Sequence, residues 1–132
     1  MKAISSKVTK CLPVGAILNC TDNSGAKLLQ IISVRGFKGT RRTKPSAGVA
    51  SSVRCSVIRG SEKVRKQVFH CVIVRQKKEY KRPDGTSIGF ADNAAVMVDE
   101  KNMPRGTQIK GPIAREVVER FPAIGKIAGI VV

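Results

Sequence analysis

Tryptophan is missing from this sequence, tyrosine occurs once and histidine once, and Phe37, Phe69, Phe90 and Phe121 complete its aromatic supply over 132 residues. So few rings leave little with which to stack bases, the usual means of holding single-stranded nucleic acid. The lone histidine, His70, lies in the apolar run Phe69 to Val74 and reads as a half-buried strand residue rather than a general base. No serine stands in a nucleophile-elbow pattern, and no carboxylate pair has acid/base spacing. Gly36 and Gly39 lack the Gly-Lys-Ser/Thr ending that holds a nucleotide. Neither catalysis, nor a cofactor, nor a small-molecule substrate is expected.

Cysteine is present but unpaired in pattern. Cys11, Cys20, Cys55 and Cys71 form no close pair and have no second histidine nearby, which argues against a zinc finger or ribbon. Cys20, Cys55 and Cys71 lie in apolar runs, where a thiol acts as a small hydrophobe. Long apolar runs are missing too: no stretch reaches the roughly 18 residues of a membrane span. The run Cys11 to Leu18 is broken by Pro13 and Gly15 and leads into the turn Asp22-Asn23-Ser24-Gly25, so it is not read as a signal peptide. These features place the chain in the cytosol, away from membranes.

Negative charge is scarce. Nine Asp and Glu oppose 25 Lys and Arg, for a formal net charge of +16. A compact chain with that balance repels itself, and a polyanion relieves the repulsion while releasing its own condensed counterions. Nucleic acid is the favoured partner. Between Asn23 and Ser61 no acid occurs, whereas Lys27, Arg35, Lys38, Arg41, Arg42, Lys44, Arg54 and Arg59 all fall there. The centre of that interval, Arg35 to Pro45, is too polar and glycine-rich for a core. It is expected to project as a loop or β-ribbon that offers guanidinium forks to phosphates. A second cluster, Arg75, Lys77, Lys78, Lys81 and Arg82, is opposed only by Glu79. With few aromatics, recognition of folded RNA by backbone and shape fits these clusters better than base stacking.

The organisation is that of one domain, residues 1–132, with residues 1–11 as a loose N-terminus. Short Val- and Ile-rich runs punctuated by Gly, Asp-Gly and Pro predict strands at Ala16 to Thr21, Lys27 to Val34, Val53 to Ile58, Val68 to Val74, Ser87 to Phe90 and Ala94 to Val98. The nearly continuous apolar run Val68 to Val74 should be central. Several short strands suggest a small closed barrel, because closure removes exposed edges. In the C-terminal segment, residues 111–132, Pro112 suits the first turn of a helix carrying Ile113, Val117 and Phe121 on one face, with Glu116 near its positive end. Pro122 ends it, and a second short turn follows with Ile124, Ile127 and Ala128 inward.

Specific motifs add to this. Asp22-Asn23-Ser24-Gly25-Ala26-Lys27, Val72-Ile73-Val74-Arg75, Arg82-Pro83-Asp84-Gly85, Phe90, Asp92-Asn93-Ala94-Ala95-Val96 and Lys110-Gly111-Pro112-Ile113 stand in an order and spacing that closely resembles the universal ribosomal protein fourteen family of the large subunit. The match runs from about Leu12 through the closing helix. Arg75 to Tyr80 and Pro45 to Val49 resemble its archaeal and eukaryotic branch. The resemblance implies a mainly β fold: a five-stranded β-barrel with a projecting basic ribbon or loop and short C-terminal helices. It implies a structural component of the large ribosomal subunit that binds large-subunit rRNA and touches neighbouring ribosomal proteins. It further implies a place in a bridge to small-subunit rRNA and a docking surface for the anti-association initiation factor.

Carried onto this chain, Lys27, Arg35, Lys38, Arg41, Arg42, Lys44, Arg54, Arg75, Lys77, Lys78, Lys81 and Arg82 become the rRNA contacts. Arg115, Glu116 and Glu119 become a protein-facing surface, since a helix bearing carboxylates is a poor phosphate ligand. Two departures from the family pattern stand out: Ala50-Ser51 replaces a Gly-Asp pair, and Ala91 replaces an acid. The first bears on a turn, because glycine adopts backbone angles that alanine resists. The alternative reading, a free barrel that binds single strands, requires exposed aromatics.

Overall fold

Turn signals and alternating apolar residues divide the chain into short strands, and the computed structural model, which describes all residues from Met1 to Val132, closes five of them into a barrel. In chain order the elements are β1 (Leu12–Pro13), β2 (Ile17–Cys20), β3 (Ala26–Val34), β4 (Ser46–Ala47), β5 (Ser52–Gly60), β6 (Val68–Arg75), β7 (Tyr80–Lys81), β8 (Ser87–Ile88), β9 (Ala94–Val98), β10 (Ile109–Ile113), α1 (Arg115–Arg120), α2 (Pro122–Ile127) and β11 (Ala128–Val131). The barrel order is β2-β3-β5-β6-β9. Four of its strand pairings are antiparallel. An odd number of strands cannot alternate all the way round, so the closing pair, β9 on β2, is parallel, with Asn19 opposite Ala94 and Cys20 opposite Ala95.

Strand periodicity explains why β6 and β9 are apolar on both faces. Successive side chains point to opposite sides. Cys71, Ile73, Ala95 and Met97 face the barrel interior with Leu18, Leu29, Ile31, Val53, Cys55 and Val57. Val72, Val74, Ala94, Val96 and Val98 face outward, and they meet Ile109, Ile113, Val117, Phe121 and Ile124 of the C-terminal segment. Each such aliphatic side chain contributes about 1.5–3 kcal/mol when fully buried. The segment from Ile109 onward therefore covers one wall of the barrel and leaves the β3–β5 wall open. The thiols serve as hydrophobes: burial pushes Cys20 up to about 12, with Asp22 reinforcing the shift. Cys71 is also raised, through its contact with Cys55 and through burial.

The structure narrows some expectations and changes others. Of the two forms expected for residues 35–45, the chain takes the loop, with a turn at Arg41-Arg42. Pro112 does not start a helix: it lies in β10, which pairs in parallel with β11, and α1 begins at Arg115. Pro122 occupies the first position of α2, where a missing N–H costs nothing. Ser87 and Ile88 pair only with Tyr80 and Lys81 in a short hairpin outside the barrel. The first eleven residues are tied down: Lys7 bridges to Lys81, Ser6 donates to Glu116, Arg120 donates to the Lys2 carbonyl, and Ile4 and Val8 pack on the core.

Candidate nucleic acid interface

Charge on this molecule falls into two populations, one satisfied inside the fold and one left to the exterior. Arg75 belongs to the first. Its Nε and Nη2 donate to the two carboxylate oxygens of Asp92 at 2.8 and 3.1 Å, and its Nη1 donates to the carbonyls of Lys110 and Pro112 at 3.1 and 2.9 Å. That guanidinium fixes the end of β6 to the middle of β10. Burial pushes the Asp92 carboxyl up, but hydrogen bonds from Arg75 and Asn19 carry it below the ordinary carboxylate range.

Arg82 and Glu116 form the second inward pair. Glu116 is 2% exposed, although it lies in the first turn of a helix expected to face a protein partner. Its Oε1 accepts from Ser6 Oγ at 2.7 Å and Arg82 Nε at 2.8 Å, and its Oε2 accepts from Tyr80 OH at 2.7 Å and Arg82 Nη2 at 3.3 Å. Arg82 Nη2 also donates to the Val132 carbonyl at 2.6 Å. Burial works to raise the Glu116 pKa, yet the bonds from Arg82, Ser6 and Tyr80 together hold it below its usual value. Tyr80 moves the other way, pushed up by burial and by its bond to Glu116. This cluster joins the N-terminus, the β7–β8 hairpin, α1 and the chain end. Arg75, Arg82 and Glu116 are thus corrected from surface contacts to internal ties; only Arg115 and Glu119 of the expected protein-facing set are exposed.

The remaining expected RNA contacts lie outside. Lys27, Arg35, Lys38, Arg41, Arg42, Lys44, Arg54, Lys77, Lys78 and Lys81 are all exposed. None of the basic side chains in the loop from Arg35 to Lys44 makes an ion pair within the chain. Gly36, at φ 76°, turns the chain out of β3, and the Phe37 ring lies against Gly39, where a side chain would have to displace the ring. Lys27 and Arg59 meet at one end of the β3–β5 wall with Arg65, and Arg54 lines a separate cleft with Arg35. Lys78 and Lys81 border a groove with Lys7 on another side. The structure therefore brings the expected residues together in patches rather than in one site.

Lys7, Arg65 and Lys101 escape the sequence reading. Lys7 is brought beside the second cluster by its bridge to Lys81, and no local pattern marks that long-range pairing. Arg65 sits in the basic stretch Lys63-Val64-Arg65-Lys66, a visible signal that has the form of an ordinary turn. All five aromatic side chains are buried or half-buried, so none forms an open stacking platform. No cluster of three or more His, Cys, Asp or Glu is placed to hold a metal, and no helix is long and apolar enough to cross a membrane.

Several polar motif residues tie the barrel ends together. Asp22 Oδ2 accepts from the Met97 N–H at 2.9 Å and its Oδ1 from the Ser24 N–H at 3.1 Å, pinning the β2–β3 turn to β9. Asn23 exchanges two hydrogen bonds with Thr107, and Asn93 Oδ1 accepts from the Lys77 N–H at 2.8 Å. Comparison with known proteins fits a fold specified in this way. A family profile described as ribosomal protein L14p/L23e matches residues 11–132. Over the whole of both chains, the sequence is 48% identical to a protein of Methanoregula boonei called large ribosomal subunit protein uL14. Proteins of the same name from Haloarcula marismortui and Natronomonas pharaonis are each 47% identical to it, again over their full length.

Proposed function

Because the chain belongs to the ribosomal protein L14p/L23e family and is a protein of the large ribosomal subunit, we propose that it acts there as a non-catalytic scaffold. Its exposed basic patches bind large-subunit rRNA. The observation that carries this reading is the division of cations: Arg75 and Arg82 are paired inside, while the Arg35 to Lys44 loop presents five cationic side chains with no ion pair of their own. Phosphates supply the missing partners, and guanidinium groups engage them in bidentate geometry. The wall opposite, covered by β10, α1, α2 and β11, faces protein. There, exposed Arg115 and Glu119 meet neighbouring ribosomal proteins or the anti-association initiation factor. The same assembly puts part of the chain at the bridge to small-subunit rRNA. A free single-strand binder is disfavoured by the lack of an open aromatic platform.

The test is the triple variant Arg41→Ala, Arg42→Ala, Lys44→Ala. Its melting temperature should match that of the parent, because all three side chains are exposed. Affinity for purified large-subunit rRNA should fall, and the log–log salt dependence should flatten by about 0.7–0.9 for each phosphate that is no longer neutralised. Equal affinity and equal slope would remove the loop from the interface.

A further inference from the structure

Every second residue of the N-terminal segment turns to the same place: Ile4, Ser6, Val8 and Lys10 all line one cavity. That spacing is the one with which an extended chain presents a single face. Opposite this strap stand Val34 and Phe37 at the end of β3, and Val49, Ser51 and Ser52 between β4 and β5. The cavity holds about 290 Å³. Small-ligand sites begin at roughly 300 Å³.

Its walls differ from those of the other basic clefts. The clefts at Arg54 and at Arg59 have no apolar side chain and offer a ligand only charge and polar groups. Here Ile4, Val8, Val34, Phe37 and Val49 supply apolar surface, and Phe37 is half-buried within it. Ser52 belongs to the same wall and is 2% exposed, yet its covered hydroxyl has no hydrogen-bond partner. Buried polar atoms are seldom left so, and an unpaired one often marks a site completed by something else.

Charge in the lining is of one sign. Lys10, Arg35 and Arg120 are its charged side chains, with no acid among them. None has an ion pair within the chain, and Arg120 is held only by the carbonyls of Lys2 and Ala50. Ser51 stands where the family pattern has an acid, so the carboxylate that would balance these cations is missing from this chain. The Ser51 Oγ accepts from the Gly48 N–H at 3.2 Å.

We propose that this cavity is a nucleotide site. One unstacked nucleobase lies against Phe37 and the aliphatic side chains, the Ser51 and Ser52 hydroxyls meet its edge, and Lys10 and Arg35 hold its phosphate at the rim. An aromatic ring accepts the face of any base, and hydroxyls both donate and accept, so they match either kind of edge group. The site therefore prefers a nucleotide over a bare phosphate without reading its sequence. A free nucleoside monophosphate and a residue turned out of folded RNA present the same chemistry. The second source rests on the reading of the chain as an rRNA binder; the first does not.

Calorimetry on the full-length chain tests both sources. Adenosine and uridine monophosphate should bind about tenfold or more tightly than ribose phosphate, which lacks the base. An RNA hairpin with one bulged nucleotide should exceed the same hairpin with an abasic residue at the bulge by a similar factor. Ser51→Asp, which restores a carboxylate to the lining, should weaken nucleotide binding about tenfold, whereas the neutral Ser51→Asn should not. Ser52→Val, which removes the unpartnered hydroxyl, should narrow the preference for a base. The Arg41, Arg42 and Lys44 triple variant should keep nucleotide affinity, because those side chains lie outside the cavity.

No preference for the base in either pair of ligands would overturn the site, as would a preference that Ser51→Asp and Ser52→Val both leave unchanged. A preference in only one pair would support the site and identify its source. A parent chain that binds rRNA through its loop but shows no base preference would lose the cavity and keep the proposed function. One that binds free nucleotides but not rRNA would do the reverse.

Discussion

At residue scale the account turns on which groups are satisfied inside the chain. Glu116 gathers Arg82, Tyr80 and Ser6, so its removal leaves a largely covered guanidinium and a phenol without a partner. Glu116→Ala should lower unfolding stability by about 3 kcal/mol, the scale of a broken buried pair, as read by urea denaturation. The sign with pH follows from the depressed pKa values of Glu116 and Asp92. Their stabilisation is complete above the ordinary carboxylate range and is lost as pH falls through their lower folded values. Glu116→Gln should remove part of that acid loss, giving a shallower decline of melting temperature below about pH 4.5. An unchanged acid limb would contradict the pairing. Ala50 is a separate case, a buried residue at φ 63° where the family pattern has glycine. A left-handed L-residue is strained by about 1–2 kcal/mol, against roughly 0.8 kcal/mol for one buried methyl group. Ala50→Gly should therefore leave stability equal or higher. Ala95→Gly, inside β9, should lower it by about 1–2 kcal/mol. Matching losses at both positions would argue against strain at Ala50.

At the scale of elements, the strands legible in the sequence are those with a period or an unbroken run. Ala94–Val98 matches its expected bounds, and β3 and β6 differ from theirs by one residue at an end. Each has a face, or two faces, that must leave water. The C-terminal segment is less legible, because Pro112 is compatible with both a helix start and an edge strand. Only the return of β11 to β10 decides between them, and that pairing is long-range. Charge is legible in sum but not in direction: from the sequence alone Arg75 and Arg82 look like Arg41 and Arg42. Their partners, Asp92 and Glu116, stand 17 and 34 residues away. The loop carries the converse expectation. Replacing residues 36–44 by a glycine–serine segment of equal length should change the melting temperature by no more than about 2 °C, since no barrel strand runs through it. A fall several times larger would mean that the loop supports the barrel.

For the whole molecule, a net charge of +16 opposes folding of the free chain and favours assembly with a polyanion. Salt therefore acts with opposite signs on the two. Raising it from about 50 to about 200 mM should increase the melting temperature of the free chain as self-repulsion is screened, while affinity for rRNA falls steeply. A melting temperature that drops over the same range would mean that surface ion pairs outweigh the repulsion. The most direct test of the central division between internal and external charge is lysine acetylation read by mass spectrometry, comparing the free chain with intact large subunits. The account predicts that Lys27, Lys38 and Lys44 react readily in the free chain and are protected in the subunit, with protection abolished by nuclease digestion of the rRNA. Equal reaction in both states would contradict it.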